Sequence, residues 1–176
     1  MKKALILHCW LDDSKAHWYP WLKKELERKG YEVLLPDVPT MNSNLPDRKK
    51  QLAFVEKNFK LDKDTIVIGH SLGAVLGMRL GELYKFNKLI TVSGWDFDDL
   101  THEHRLFWKT KINHAKIKEN VKEIVCIGSD TDPYYTAIAF EDVSKRLGGK
   151  LIIIKKKGHF TKKSGVLKFP ELLRLV

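Results

Sequence analysis

The stretch Thr65-Ile-Val-Ile-Gly-His-Ser-Leu-Gly-Ala-Val-Leu-Gly-Met-Arg-Leu-Gly81 constrains the fold of this chain more than any other segment. A short run of β-branched residues, Thr65–Ile68, leads into Gly69-His-Ser-Leu-Gly73, after which glycine returns at positions 77 and 81. Between a strand and a helix, the pattern G-x-S-x-G describes a sharp turn. Its serine is held in strained backbone geometry with the hydroxyl above the sheet. Glycines at 69 and 73 omit the Cβ atoms that would collide where strand and helix close on each other. Spacing of four along the helix leaves one bare face able to lie against a sheet. Ser71 is therefore the candidate nucleophile, and the Leu72 amide, opening the helix, a candidate donor to an oxyanion. A glycine-rich turn with a bystander serine is the competing reading. With 11 glycines in 176 residues, one at each flanking position argues against coincidence.

Strand-like apolar runs alternate with helical ones along the rest of the chain. Lys3–His8, Tyr31–Leu35, Thr65–Gly69, Lys88–Val92, Glu123–Gly128 and Lys150–Lys155 read as strands. Most are continuously apolar, as in a sheet covered on both faces. Trp18, Trp21, Leu22 and Leu26 recur at helical spacing, with Pro20 in that helix's first turn and Gly30 at its end. Leu52, Val55 and Phe59 form a second helical face. Tyr135–Leu147, closed by Gly148-Gly149, and a segment from about Pro170 supply further helices. This alternation implies right-handed crossovers and a three-layer α/β fold with a doubly wound, mostly parallel sheet of about six strands. Such sheets bind ligands at the carboxyl ends of their strands. No linker or repeat divides the chain, which reads as one domain, residues 1–176, too short for a separate cap domain.

Met1-Lys-Lys-Ala-Leu-Ile-Leu7 begins like an export signal, but its apolar run is short and reads as a strand. No stretch reaches the length of a transmembrane helix. Cys9 and Cys126 are too few and too far apart for a disulfide framework or a zinc site. A cytoplasmic protein with free thiols and no membrane association is the expectation. The net charge of +10 would suit an acidic partner, yet Lys23-Lys24, Arg48-Lys49-Lys50, Lys155–Lys157 and Lys162-Lys163 are short, scattered groups. Without a nucleic-acid-binding motif they read as a solvated surface, and no specific nucleic-acid partner is expected. There is no dinucleotide fingerprint and no Walker lysine, so no cofactor is expected either.

A serine hydroxyl needs a base to take its proton, and the base needs an acid to orient its ring. On an α/β-hydrolase topology these follow in the order Ser, Asp/Glu, His, each just beyond a strand. Ser129-Asp-Thr-Asp-Pro133 follows the fifth strand and Lys157-Gly-His-Phe160 the last. His159 is the candidate base. Asp130 and Asp132 compete for the acid. Pro133 biases Asp132 toward extended backbone and favours it, whereas Asp130 suits a turn-capping role. The first loop, His8–Asp13, should face Ser71 across the strand ends, making the amides of Cys9 and Trp10 candidates for the second oxyanion donor. Cys9 itself reads as a small buried thiol. His17, Trp95, Trp108 and Phe160 are candidate walls of a substrate pocket, against the plainer reading that aromatics pack in the core. His70, adjoining the nucleophile, should face away from it. Asp96, Asp98, Asp99, His102, Glu103 and His104 crowd together in sequence. Helix starts and a charged surface explain them better than a metal, and no metal site is expected.

Five segments in combination resemble the small α/β-hydrolases of the retinoblastoma-binding protein nine type, over nearly the whole chain. They are His17-Trp-Tyr-Pro-Trp21, Gly69-His-Ser-Leu-Gly73, Ser93-Gly-Trp95, Ser129-Asp-Thr-Asp-Pro133 and Gly158-His-Phe160. The resemblance implies a compact sheet without a cap domain, serine hydrolase activity on short esters, and a triad of Ser71, Asp132 and His159. Two departures stand out. These relatives generally carry glycine where this chain has Cys9, which would be strained if the position required a positive φ. Lys155-Lys-Lys157 brings positive charge before His159, disfavouring an imidazolium if the charges lie close. The expectation is a serine hydrolase cleaving a small carboxylic ester or thioester through an acyl-enzyme. The alternative is an inactive member of the same fold that serves as a binding or interaction module.

Overall fold

The computed structural model describes residues 1–176. Its strands are β1 (Lys3–Leu7), β2 (Glu32–Leu34), β3 (Thr65–His70), β4 (Phe86–Val92), β5 (Val121–Ser129) and β6 (Lys150–Ile154). Its helices are α1 (Tyr19–Arg28), α2 (Arg48–Asn58), α3 (Leu72–Leu83), α4 (His114–Asn120), α5 (Ala137–Leu147) and α6 (Pro170–Leu173). The six strands form one sheet in the order β2-β1-β3-β4-β5-β6, and every pairing is parallel. Strand order reverses between β1 and β3, the place where an open α/β sheet parts its crossovers and leaves a crevice.

Alternation along each strand feeds two cores. Leu5, Leu7, Val67, Leu89 and Cys126 point to the layer of α2, α3, α4 and α5. Ala4, Ile6, Ile66, Ile68, Ile90 and Val92 point to the layer of α1 and α6. Both faces are covered, which is why the strands read as unbroken apolar runs. The bare face expected of α3 lies on the sheet: a Cβ at Gly77 would come within 3.0 Å of Leu89 Cδ1 and 3.4 Å of Val67 Cγ1.

Two helices differ from expectation. The unforeseen α4 has a single buried side chain, Ile117, and so shows no apolar stripe in sequence. It forms because Asn113 caps it through the Lys116 amide and because Ile117 docks where Gly81 leaves room. Thr136 caps α5 through the Ala139 amide, so Tyr134 and Tyr135 stay in the loop before it. The 93–113 connection contains turns but no helix or strand and builds no cap domain. Buried Arg79 pins it, donating to the carbonyls of Phe107 at 2.8 Å and Lys111 at 3.1 Å while pairing with Glu82. No helix is long and apolar enough to cross a membrane.

Candidate active site

Backbone strain marks one edge of this sheet. The non-glycine residues with positive φ are Leu11, His17, Thr40, Ser71, Ser93, Leu100, Lys156 and Phe160. Every one lies in a segment leaving the carboxyl end of a strand. Such conformations cost about 1–3 kcal/mol each and persist where surrounding structure imposes them. Ser71, at φ 55 and ψ −120, stands between β3 and α3 as the G-x-S-x-G pattern predicts. Its amide donates to the Val92 carbonyl at 2.8 Å, tying the turn to the end of β4.

The two glycines around Ser71 do different work. A Cβ at Gly69 would meet the Gly73 carbonyl and come within 2.5 Å of Ala74 Cα. A Cβ at Gly73 would instead strike the backbone of Leu7 and His8, at the end of β1. Glycine at 73 thus lets the first turn of α3 approach the loop after β1. The Leu72 amide, first in the helix, has no intrahelical acceptor.

That loop is held by its neighbours. His8 Nδ1 donates to the Cys9 carbonyl at 2.9 Å and its Nε2 accepts from the Val38 amide at 3.0 Å. The Trp10 indole donates to the Ser43 carbonyl at 2.7 Å, and the Leu11 amide to that of Met41 at 3.1 Å. Cys9 has no positive φ, so its side chain brings none of the strain feared for it. Its amide, however, donates to the Tyr19 hydroxyl at 3.1 Å and is occupied. Of the two amides considered, that of Trp10 has no protein acceptor.

Asp132 and His159 are brought together. Asp132 Oδ2 accepts from His159 Nδ1 at 2.9 Å and from the Ser93 hydroxyl at 2.7 Å, while its Oδ1 accepts from the Tyr134 amide at 3.0 Å. The carboxylate is fully buried and the imidazole 11% exposed. Burial pushes the Asp132 carboxyl up, but the hydrogen bond and charge of His159, with Ser93 and the Tyr134 amide, outweigh it and hold the group below its ordinary range. Asp130 takes the other role considered for it, accepting from the Lys156 amide at 2.7 Å. Ser129 and Thr131 hydroxyls accept likewise from the amides of Lys157 and Gly158, both at 3.1 Å, so 129–131 fasten the loop that carries His159. Of the three lysines before it, Lys155 and Lys156 are exposed and Lys157 pairs with Glu171 at 3.4 Å. The Ser71 hydroxyl makes no hydrogen bond within the chain. It neighbours the pair through Val92 and Ser93, the residue that accepts from its amide and the residue that grips Asp132.

His70 faces away from the crevice, as expected, and is fully buried. Its Nε2 donates to the His159 carbonyl at 2.8 Å, which leaves Nδ1 to accept from the Tyr19 hydroxyl at 2.5 Å. Burial, together with the neighbouring histidines, pushes its pKa well below the usual value. A buried line of hydrogen bonds therefore runs from the Cys9 amide through Tyr19 and His70 to the backbone of His159. Sequence reasoning missed Tyr19 and Ser93. Ser93 was detectable, since it stands just beyond a strand end as Ser71 and Asp132 do; Tyr19, inside an amphipathic helix, carried no such signal.

The candidate pocket residues separate. Phe160 is fully buried on the opposite layer, stacked on Phe169, because His159 and Phe160 turn to opposite sides. Trp95 is buried against Tyr135, His104 and Trp108, and Trp108 is half-buried beside it. His17 points Nε2 at Asp12 at 2.9 Å while Nδ1 accepts from the Lys162 amide at 3.0 Å. Cys9, His17 and His70 offer ligand atoms within 4.8 Å of one another. Hydrogen bonding commits both histidines: Nε2 of His17 keeps its proton, and neither nitrogen of His70 is free for a cation. In the 96–104 stretch, Asp96 accepts from Arg146 and His114, and Asp99 from His104, so these carboxylates take their hydrogen bonds from within the chain.

A family model described as serine hydrolase matches residues 4–176. The serine hydrolase RBBP9 of Rattus norvegicus is 33% identical over 171 residues, covering 93% of this chain and 87% of that protein. The crystal structure of the ydeN gene product from Bacillus subtilis superposes with a TM-score of 0.87 at 24% identity, covering 99% of this chain and 96% of that one. Polyneuridine aldehyde esterase shares the fold at a TM-score of 0.73 and 15% identity, over 99% and 97% of the two chains. With its strand-to-helix serine in place and a match over almost its full length, the chain belongs to the serine hydrolase family.

Proposed function

We propose that this serine hydrolase cleaves a small carboxylic ester or thioester with Ser71 as nucleophile, His159 as base and Asp132 as the acid that orients it. The reading rests on one observation above others: Asp132 holds His159 by Nδ1 at 2.9 Å, leaving Nε2 as the free ring nitrogen at the strand edge that carries Ser71. His159 Nε2 takes the Ser71 proton as its oxygen attacks the carbonyl, and the imidazolium is stabilised by the buried Asp132 carboxylate. The Ser71 hydroxyl makes no hydrogen bond in the free protein, and catalytic contacts of this kind commonly tighten only when substrate binds. The amides of Leu72 and Trp10 receive the oxyanion. His159 returns the proton to the leaving alcohol or thiol, and the acyl-enzyme is released by a water that His159 activates. Labelling by a fluorophosphonate that disappears in Ser71→Ala supports this assignment, and folded wild-type protein that resists labelling overturns it. A panel of p-nitrophenyl esters of increasing chain length then measures the acyl preference.

A further inference from the structure

Three buried nitrogen atoms without a protein partner belong to one aromatic cluster: Trp95 Nε1, Trp108 Nε1 and His104 Nε2. The rings are neighbours, with centroids 5.5 Å apart for Trp95 and His104 and 6.3 Å for Trp95 and Trp108. An unmade hydrogen bond in the interior is costly enough that most buried polar atoms find partners, so three orphans in one cluster call for a common explanation.

Their chemistry is specific. Each indole nitrogen is a donor only. His104 Nδ1 donates to Asp99 at 2.6 Å, so in the neutral ring Nε2 is an acceptor. Two donors and one acceptor are the complement of a single hydroxyl, which offers two lone pairs and one proton.

The cluster also lies in a telling place. On one side the ring of Trp10, from the loop after β1, meets His104 at 4.7 Å. On the other, Tyr135 stacks on Trp95 at 5.3 Å while its amide reaches Asp132 Oδ1 at 3.4 Å. It therefore spans the two loops that flank Ser71, one bearing the proposed oxyanion donor and the other the proposed acid.

We propose that Trp95, Trp108 and His104 form a subsite for a free hydroxyl on the substrate, whose oxygen accepts from both indoles and whose proton goes to His104 Nε2. The substrate class that follows is an ester with a hydroxyl close to the scissile carbonyl, on its acyl or its alcohol part. This rests on the assignment of Ser71 as nucleophile. An ordered water also offers two lone pairs and a proton, with a second proton left over, and the experiment separates the two.

Two matched pairs of esters are compared by kcat/KM: ethyl 3-hydroxybutyrate with ethyl butyrate, and glyceryl monobutyrate with propyl butyrate. The expected result is a preference of about tenfold or more for the hydroxylated member of at least one pair. That ratio falls toward one in Trp95→Phe and Trp108→Phe, which remove a donor and keep an aromatic ring. Ratios near one in the wild type, or a preference unaltered in both variants, overturn the subsite. A second readout needs no turnover. In 15N-labelled Ser71→Ala protein, the indole N–H signals of Trp95 and Trp108 move with the hydroxylated ester and not with its plain partner. Signals unmoved by either ester indicate a resident water and overturn the proposal. If Ser71→Ala leaves hydrolysis intact, the nucleophile assignment fails on its own. If it abolishes hydrolysis while the ratios stay near one, only the subsite fails.

Discussion

Ser93 donates its hydroxyl hydrogen to Asp132 Oδ2 at 2.7 Å, the same oxygen that receives His159 Nδ1–H at 2.9 Å. Ser93 sits at φ 48, so its backbone is strained to deliver this bond. Hydrogen bonds to a charged group contribute about 1.5–3 kcal/mol. Ser93→Ala is expected to lower kcat by about tenfold or more through a less firmly oriented His159, with KM changed little. Steady-state kinetics on a p-nitrophenyl ester test this, and an unchanged kcat would show the bond to be ornamental to the chemistry.

Tyr19 serves two loops through one hydroxyl. Tyr19→Phe leaves the Cys9 amide without its acceptor and His70 Nδ1 without its donor, both inside the fold. The expected loss is about 1–3 kcal/mol of stability per stranded group, read by urea denaturation. Activity should fall as well, because the His159 backbone hangs from the far end of the same line.

Acid should destabilise this protein before any carboxylate titrates. His8 and His70 both have pKa values lowered from the ordinary 6.5, chiefly by burial, which outweighs the bond each donates to a backbone carbonyl. Below about pH 6.5 the unfolded chain takes up protons at these positions that the folded chain refuses, so stability drops as pH falls from that value toward their folded pKa values. Tm measured from pH 8 down to 5 should decline. In His70→Asn, less stable at neutral pH, the decline should be shallower; an equal slope would remove His70 from the account.

Both thiols should be inert in the folded state. Burial pushes the Cys9 thiol up to about 12 and raises that of Cys126, and both side chains are almost fully covered. Ellman's reagent at pH 8 should react with neither until denaturant is added. Rapid modification of one thiol under native conditions would contradict the packing around the β1 loop.

Relief of strain at the turn should separate stability from chemistry. Ser71 carries a Cβ at φ 55. Ser71→Gly is expected to raise stability by about 1 kcal/mol while eliminating fluorophosphonate labelling. Calorimetry beside the labelling gel checks both halves, and a destabilised variant would mean that the Ser71 side chain supports the turn instead of straining it.

What could be read without coordinates was whatever depends on local spacing. Continuous apolar runs identified six strands because a parallel sheet buries both faces, and the glycine pattern of 69–81 located the turn and the bare face of α3. His159 was marked by standing beyond a strand end. Between Asp130 and Asp132 the sequence offered only the backbone bias of Pro133, which favours Asp132; that Asp132 meets an imidazole and Asp130 a backbone amide is decided by the fold. The same holds for the burial of Phe160, the occupation of the Cys9 amide by Tyr19 and the gathering of Trp95, Trp108 and His104. Spacing along a chain determines periodicity and therefore faces. Which side chains then meet across loops and elements is determined by how those faces stack, and no local pattern encodes that.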